Sequence, residues 1–144
     1  MPPLSDYLAQ RYAGYPGVQY GAAASQLGLM AQEQFLYQHH LNNLINGGYF
    51  RHPSGDISTA LQRVVEHNGR FYNIPSVWLG QILSELESRK RAAAMGWNMW
   101  PSYASPDTAD ARYMQMHDYM AKDVPAVLGP YVQAGGARPL PIPR

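Results

Sequence analysis

The hydrophobic pattern switches period along the chain. Between Ala22 and Asn46 no proline occurs, and Met30, Tyr37, Leu41 and Leu44 follow at steps of seven, four and three, which places them on one side of a helix. Gly47-Gly48 supplies the C-terminal stop. Gly28 weakens the first half, so the helix is expected to be bent or to begin only near Leu29. A turn-rich connection, Gly47 to Asp56, carries Pro53, Ser54 and Gly55.

In the next stretch the period shortens to two. Asn68-Gly69 separates two runs rich in Val, Phe, Tyr and Ile, and the pair suits a type I′ turn, whose central residues both need positive φ. Around that turn His67 faces Arg70, Val65 faces Tyr72 and Arg63 faces Ile74, with Glu66 opposite Phe71 and Val64 opposite Asn73 on the other side. Leu61, Val65, Tyr72 and Ile74 then form the expected buried face, with Arg63 at its rim. Ile57, Ala60, Leu61, Val64 and Val65 also fit a helix capped by Asp56 or Ser58, and periodicity alone does not decide. Strands are favoured because a second β-prone run follows the turn and Pro75 ends it where an edge strand tolerates proline.

Helices return after the hairpin. Ser84 with Glu87 has the capping-box spacing and Gly96 a C-terminal position, predicting a helix over Glu85–Met95. The turn WNMWPSYASP carries Trp97, Trp100 and Tyr103 as large plugs, with the core the destination of at least one tryptophan. Ser105-Pro106 opens a second helix, on which Ala109, Tyr113, Met116 and Met120 share a face to about Asp123. The expected fold is α+β: an N-terminal helix, a β-hairpin, two short helices packed on it, and extended N- and C-terminal arms. The divisions are an N-terminal arm and helix over 1–52, a hairpin-plus-helices module over 53–124, and a Pro/Gly-rich extended tail over 125–144. Within the first of these, Met1 to Val18 reads as the arm, with a short helical stretch at Ser5 to Tyr12.

Composition narrows the function classes. At 144 residues without cysteine, the chain has room for one core and carries no disulfide framework, thiolate zinc site or thiol nucleophile. Charged residues are 15%, against roughly 25% in ordinary soluble domains. A surface poor in charge and rich in Tyr and Met is the composition of protein interfaces, and composition alone fits a Tyr-rich monomer equally well. The net charge of +1 does not indicate nucleic-acid contact through bulk charge, and no run is long enough for a membrane span.

The order of Pro53, Ser54-Gly55-Asp56, Ile57-Ser58-Thr59, a strand, Gly69, Ile74-Pro75-Ser76 and Gly80, then a helix from Ser84, Gly96, an aromatic turn and a helix with Ala109 and Met116-His117, resembles a known module. That module recurs in tailed-bacteriophage virion proteins, in internal, tail or head-to-tail components, sometimes beside peptidoglycan-degrading domains. The resemblance covers Pro53 to Met120; Ser76 stands where the pattern has threonine and Met116 where it has leucine. It implies a virion protein made in the host cytoplasm, with other virion proteins or copies of itself as partners. The family carries no established catalytic residues. The alternative it implies is a peptidoglycan-active or peptidoglycan-binding accessory protein.

Candidate chemistry is sparse. His39 and His40 are adjacent, hence about 100° apart on a helix, and Glu33 shares a face with His40 without completing a ligand set; all three read as surface polar residues. His67 and His117 meet only if the fold brings them together. Glu85 and Glu87 are first-turn acids and Glu66 the solvent end of a strand, while Arg89-Lys90-Arg91, Arg112 and Lys122 read as solvated helix faces. No nucleophile elbow, phosphate loop or dinucleotide fingerprint occurs. The expectation is a non-enzymatic interaction protein without cofactor or metal, whose structural and interaction residues are Asn68, Gly69, Tyr72, Ile74, Pro75, Trp97, Trp100 and His117.

Overall fold

The computed structural model describes residues 29–135. The arm over Met1 to Val18, the helical stretch within it, and tail residues 136–144 lie outside these. The element order is α1 (Ala31–Asn46), β1 (Phe50–Arg51), β2 (Ile57–Ser58), β3 (Arg63–His67), β4 (Arg70–Ile74), β5 (Val77–Trp78), β6 (Gln81–Ile82), α2 (Glu85–Met95), a 3-10 turn (Trp97–Met99), β7 (Ser102–Tyr103), α3 (Pro106–Ala121) and α4 (Asp123–Leu128). The fold is α+β.

Local chemistry sets most boundaries. Gly47 closes α1 in the left-handed region at φ 77°. Ser84 Oγ accepts from the Glu87 N–H at the start of α2, and Ser105 Oγ accepts from the Thr108 N–H at the start of α3, with Pro106 in the first turn. β3 and β4 pair antiparallel in the register expected, His67 with Arg70 through Arg63 with Ile74, around Asn68 (φ 51°) and Gly69 (φ 78°). The hairpin reading therefore holds over the helical one.

Three expectations about the hairpin change. β4 is the central strand of the order β3-β4-β7, not an edge, and Pro75 is tolerated because it lies just past the last paired residue. Leu61 falls outside the strand, in a loop at φ 41°, so it does not extend the apolar face. Both faces of the sheet, not one, are buried. Val65 and Ile74 meet Leu36 and Leu41 of α1, Ala92 of α2 and Trp100, whereas Val64 meets Tyr103 and Ala109 on the opposite side. Asn73, fully buried on that second face, donates from Nδ2 to the Ala109 carbonyl at 3.0 Å.

α3 reaches both sides: Ala109 covers the second face, and Met116 and Met120 reach the first cluster. The segment expected to be extended from Pro125 begins as helix α4, which packs Val124 against Leu44 and Ile57. Only beyond Gly129 does the described chain run without helix. There Ala134 forms a parallel bridge with Ile57, through Ile57 N–H to the Gln133 carbonyl at 3.0 Å and Gly135 N–H to the Ile57 carbonyl at 2.6 Å.

Candidate functional site

Helix α1 carries a polar stripe into the interior. Glu33, Tyr37, His40 and Leu44, at steps of four, three and four, share one face, and all are at most 1% exposed. Glu33 and His40 are thus core residues, not the surface residues expected. The sequence signal was available, since both fall on the periodic face of Tyr37 and Leu44.

At one end, the Glu33 carboxylate is saturated with donors. Arg112 grips it bidentately, Nε to Oε2 and Nη2 to Oε1, each at 2.8 Å; Tyr103 Oη donates to Oε2 at 2.7 Å and the Met30 N–H to Oε1 at 2.9 Å. The solvated helix face expected for Arg112 is not what forms: its guanidinium reaches inward to tie α3 to α1. Burial pushes the Glu33 carboxyl up, but its bonds to Arg112, Met30 and Tyr103 outweigh that and hold it below the usual range. Burial and the hydrogen bond to Glu33 push the Tyr103 phenol far above its ordinary range, so it stays a donor.

At the other end, buried Asp123 accepts from Tyr37 Oη at 2.9 Å and lies 2.8 Å from His40 Nε2, while His40 Nδ1 is 2.5 Å from Thr59 Oγ1. A carboxylate only accepts, so in the neutral imidazole Nε2 carries the proton and Nδ1 accepts from the Thr59 hydroxyl. Hydroxyl, imidazole and carboxylate in that order are the components of an acyl-transfer triad. Thr59 is 8% and His40 1% exposed, and the cavity beside them, lined also by Gln62, Tyr113 and His117, measures about 20 Å³. That holds about one water molecule. The arrangement as it stands braces α1, α4 and the loop before β3.

A third set of bonds locks α1 to the small β5–β6 hairpin. His39 Nε2 donates to the Val77 carbonyl at 2.8 Å, and Asn43 Nδ2 donates to the carbonyls of Thr59 and Val77 at 2.6 and 3.1 Å. Burial pushes the His39 imidazole down to about 4, so it is neutral near pH 7. Among the described residues no group of three His, Asp or Glu side chains is placed to hold a metal ion, and no helix is long and apolar enough to cross a membrane.

The interaction residues read from the sequence do not form one site. Asn68 and Gly69 make an exposed turn, and Ile74 and Pro75 are buried. Trp97 stacks on His67 with ring centroids 4.1 Å apart and meets Tyr72 at 5.0 Å, whereas Trp100 is buried and donates to the Ala92 carbonyl. His117 stacks on Tyr113 instead, so His67 and His117 do not come together. Of the basic run, Arg89 donates to the Glu66 carbonyl and Arg91 lies over the Trp78 ring at 5.3 Å, leaving Lys90 with a surface pair to Glu87.

What the sequence reading missed is the second tight turn. Leu79 and Gly80 connect β5 to β6 with φ 52° and 76°, the type I′ geometry of Asn68-Gly69 but with leucine where asparagine belongs. Leucine in this region is strained, and here the residue is 82% exposed, so its own burial does little to offset the strain. Leu79→Asn is expected to stabilise the protein by about 1 kcal/mol, read as a higher midpoint in urea unfolding. The turn itself is held in place by Gly80 N–H to the Gly48 carbonyl at 3.1 Å.

Elsewhere α1 and the C-terminal end of α2 flank a surface groove of about 110 Å³, lined by Phe35, Met95, Met99 and Trp100 together with Gln38 and Asn42. His39 lines it and also packs on Trp78, the neighbour of Leu79, with ring centroids 4.5 Å apart. Compared with known protein-family models, with curated proteins and with solved structures, the chain matches none.

Proposed function

We propose that this chain is a structural or interaction component of a tailed-bacteriophage particle, docking on neighbouring virion subunits through helix faces and extended arms. The setting comes from the resemblance of Pro53 to Met120 to the virion module. The observation that carries the docking mode is the extended segment after α4. It lays Val132 and Ala134 on the cluster of Leu44, Ile57 and Val124 and adds backbone hydrogen bonds to the edge of β2. Strand addition of this kind is how extended segments bind sheet edges between proteins. The segment also leaves residues 136–144, GARPLPIPR preceded by Gly135, starting from an anchored point. Its alternating prolines favour an extended conformation and so lower the entropy lost on docking. The interior agrees with a scaffold: its charged groups are spent on tying helices together.

The test separates anchor from arm. Deleting residues 136–144 is expected to leave the thermal midpoint unchanged while reducing incorporation of the chain into particles assembled in infected cells. Deleting 129–144 is expected to lower the midpoint as well, because Ile57 loses its cover. Normal incorporation of the shorter deletion removes the arm from the assembly role, and retention of the full chain on purified cell-wall sacculi points to the peptidoglycan reading instead.

A further inference from the structure

Gln62, in the loop before β3, is a polar side chain that the fold buries without pairing. It is 1% exposed, and among the described residues neither its amide nitrogen nor its amide oxygen meets a hydrogen-bond partner. The same holds for both ring nitrogens of His117 on α3; Asp118 Oδ1, at 3.7 Å from Nδ1, is beyond hydrogen-bonding reach. Buried polar groups are nearly always paired, either with protein or with ordered water. Four such atoms on two residues therefore call for a common partner.

The place for it is the cavity of about 20 Å³ that Gln62 and His117 both line, together with Thr59. A water molecule needs about 10–15 Å³ of such space, so the volume fits one. The chemistry of the walls fits the same ligand. Gln62 offers donors and an acceptor, a neutral imidazole offers one of each, and Thr59 Oγ1, whose proton goes to His40 Nδ1, offers lone pairs. Among the described residues no Asp, Glu, Lys or Arg lines the cavity, so its walls carry no side chain that selects an ion of either sign by full charge. The loop is also held in position. Ser76 donates from its N–H to the Ala60 carbonyl and from Oγ to the Leu61 carbonyl, which pins the backbone on either side of Leu61 at φ 41°. A strained residue of this kind persists where its surroundings over-determine it, and such residues gather at ligand sites.

We infer that one water molecule is bound in this cavity as a part of the fold, bridging Gln62 to His117 and so tying the loop before β3 to α3. The inference goes beyond the assembly reading and does not depend on it.

A high-resolution crystal structure of the full-length chain is expected to show one ordered water within about 3.2 Å of the Gln62 amide and of a His117 ring nitrogen. Stability supplies a second readout whose sign depends on the water. Gln62→Met keeps a side chain of similar length but removes the amide, so a bound water loses its partner and His117 is left unpaired. The unfolding equilibrium constant, from urea titration, should then rise about tenfold. His117→Phe added to Gln62→Met should recover part of that loss, because it removes the unpaired nitrogens and keeps a ring against Tyr113. If no water is bound, Gln62→Met instead relieves two unpaired atoms and leaves the protein as stable as wild type or more so. That result overturns the inference. So does wild-type electron density in which the cavity holds a side chain from residues 136–144, an ion, or nothing.

Discussion

Arg112→Met is expected to destabilise the protein by about 3–5 kcal/mol, a large share of the stability of an ordinary domain. The size follows from what remains. Glu33 is fully buried, and without the guanidinium its carboxylate keeps only the Tyr103 hydroxyl and the Met30 N–H among its four donors. The buried charge, more than the lost attraction, sets the cost. A second variant checks this cause: Glu33→Gln in the Arg112→Met background should recover part of the loss, since a neutral amide needs less compensation. Denaturant unfolding at pH 7 measures both.

The same carboxylate predicts an acid limb. Its folded value lies below the ordinary 4.5, so the unfolded chain takes up the proton first as pH falls. The stabilisation from this group is complete above the unfolded value and is lost as pH drops through the lower folded one. Wild type should therefore lose stability below about pH 4.5, and Glu33→Gln should lack that component of the slope.

The second large effect is expected at Asp123. Asp123→Ala takes the carboxylate acceptor from Tyr37 Oη and from His40 Nε2, on two residues that are each 1% exposed. Each donor left unmade costs about 1–3 kcal/mol, so the two together are expected to cost about 2–6 kcal/mol, or a Tm lower by on the order of 10 °C. Calorimetry of Asp123→Ala, His40→Phe and the double variant closes a cycle. The double should cost less than the sum, because removing His40 removes one of the stranded donors. Near-additive losses would mean that the two residues act independently, against the geometry.

Both predictions rest on polar residues that sequence reading placed on the surface. Glu33, His40 and Arg112 have the composition of a solvated face, and their burial depends on partners 70 to 86 positions away along the chain: Tyr103 and Arg112 for Glu33, Asp123 for His40 and Tyr37. No local pattern encodes such pairings. The face itself was readable, since Tyr37, Leu41 and Leu44 mark it. What periodicity does not supply is whether a charged residue on that face will find a counter-charge inside.

The hairpin shows where the line falls. Its turn, its register and the caps at Ser84 and Ser105 follow from residues within a few positions of one another, through φ preference and side-chain capping, and these were legible in the sequence. The burial of its second face was not, because it depends on β7 pairing with β4 and on Ala109 arriving from α3. The extra helix at Asp123–Leu128 was hidden by Pro125, which reads as a breaker but is tolerated in a first helical turn, where its missing N–H costs no bond. Leu79 was hidden for the opposite reason: leucine predicts burial, and only the pairing of β5 with β6 forces it into an exposed turn.

The sequence by itself determined the α+β class, through the switch of hydrophobic period. It also determined the hairpin register and the helix boundaries at Gly47, Ser84 and Ser105, because each of these is an interaction between near neighbours on the chain. The tertiary structure alone decided which polar groups became core ion pairs, and that Leu79 stands exposed in a tight turn. Those outcomes depend on which distant surfaces meet, and burial, not residue type, sets what a carboxylate or a leucine is worth there.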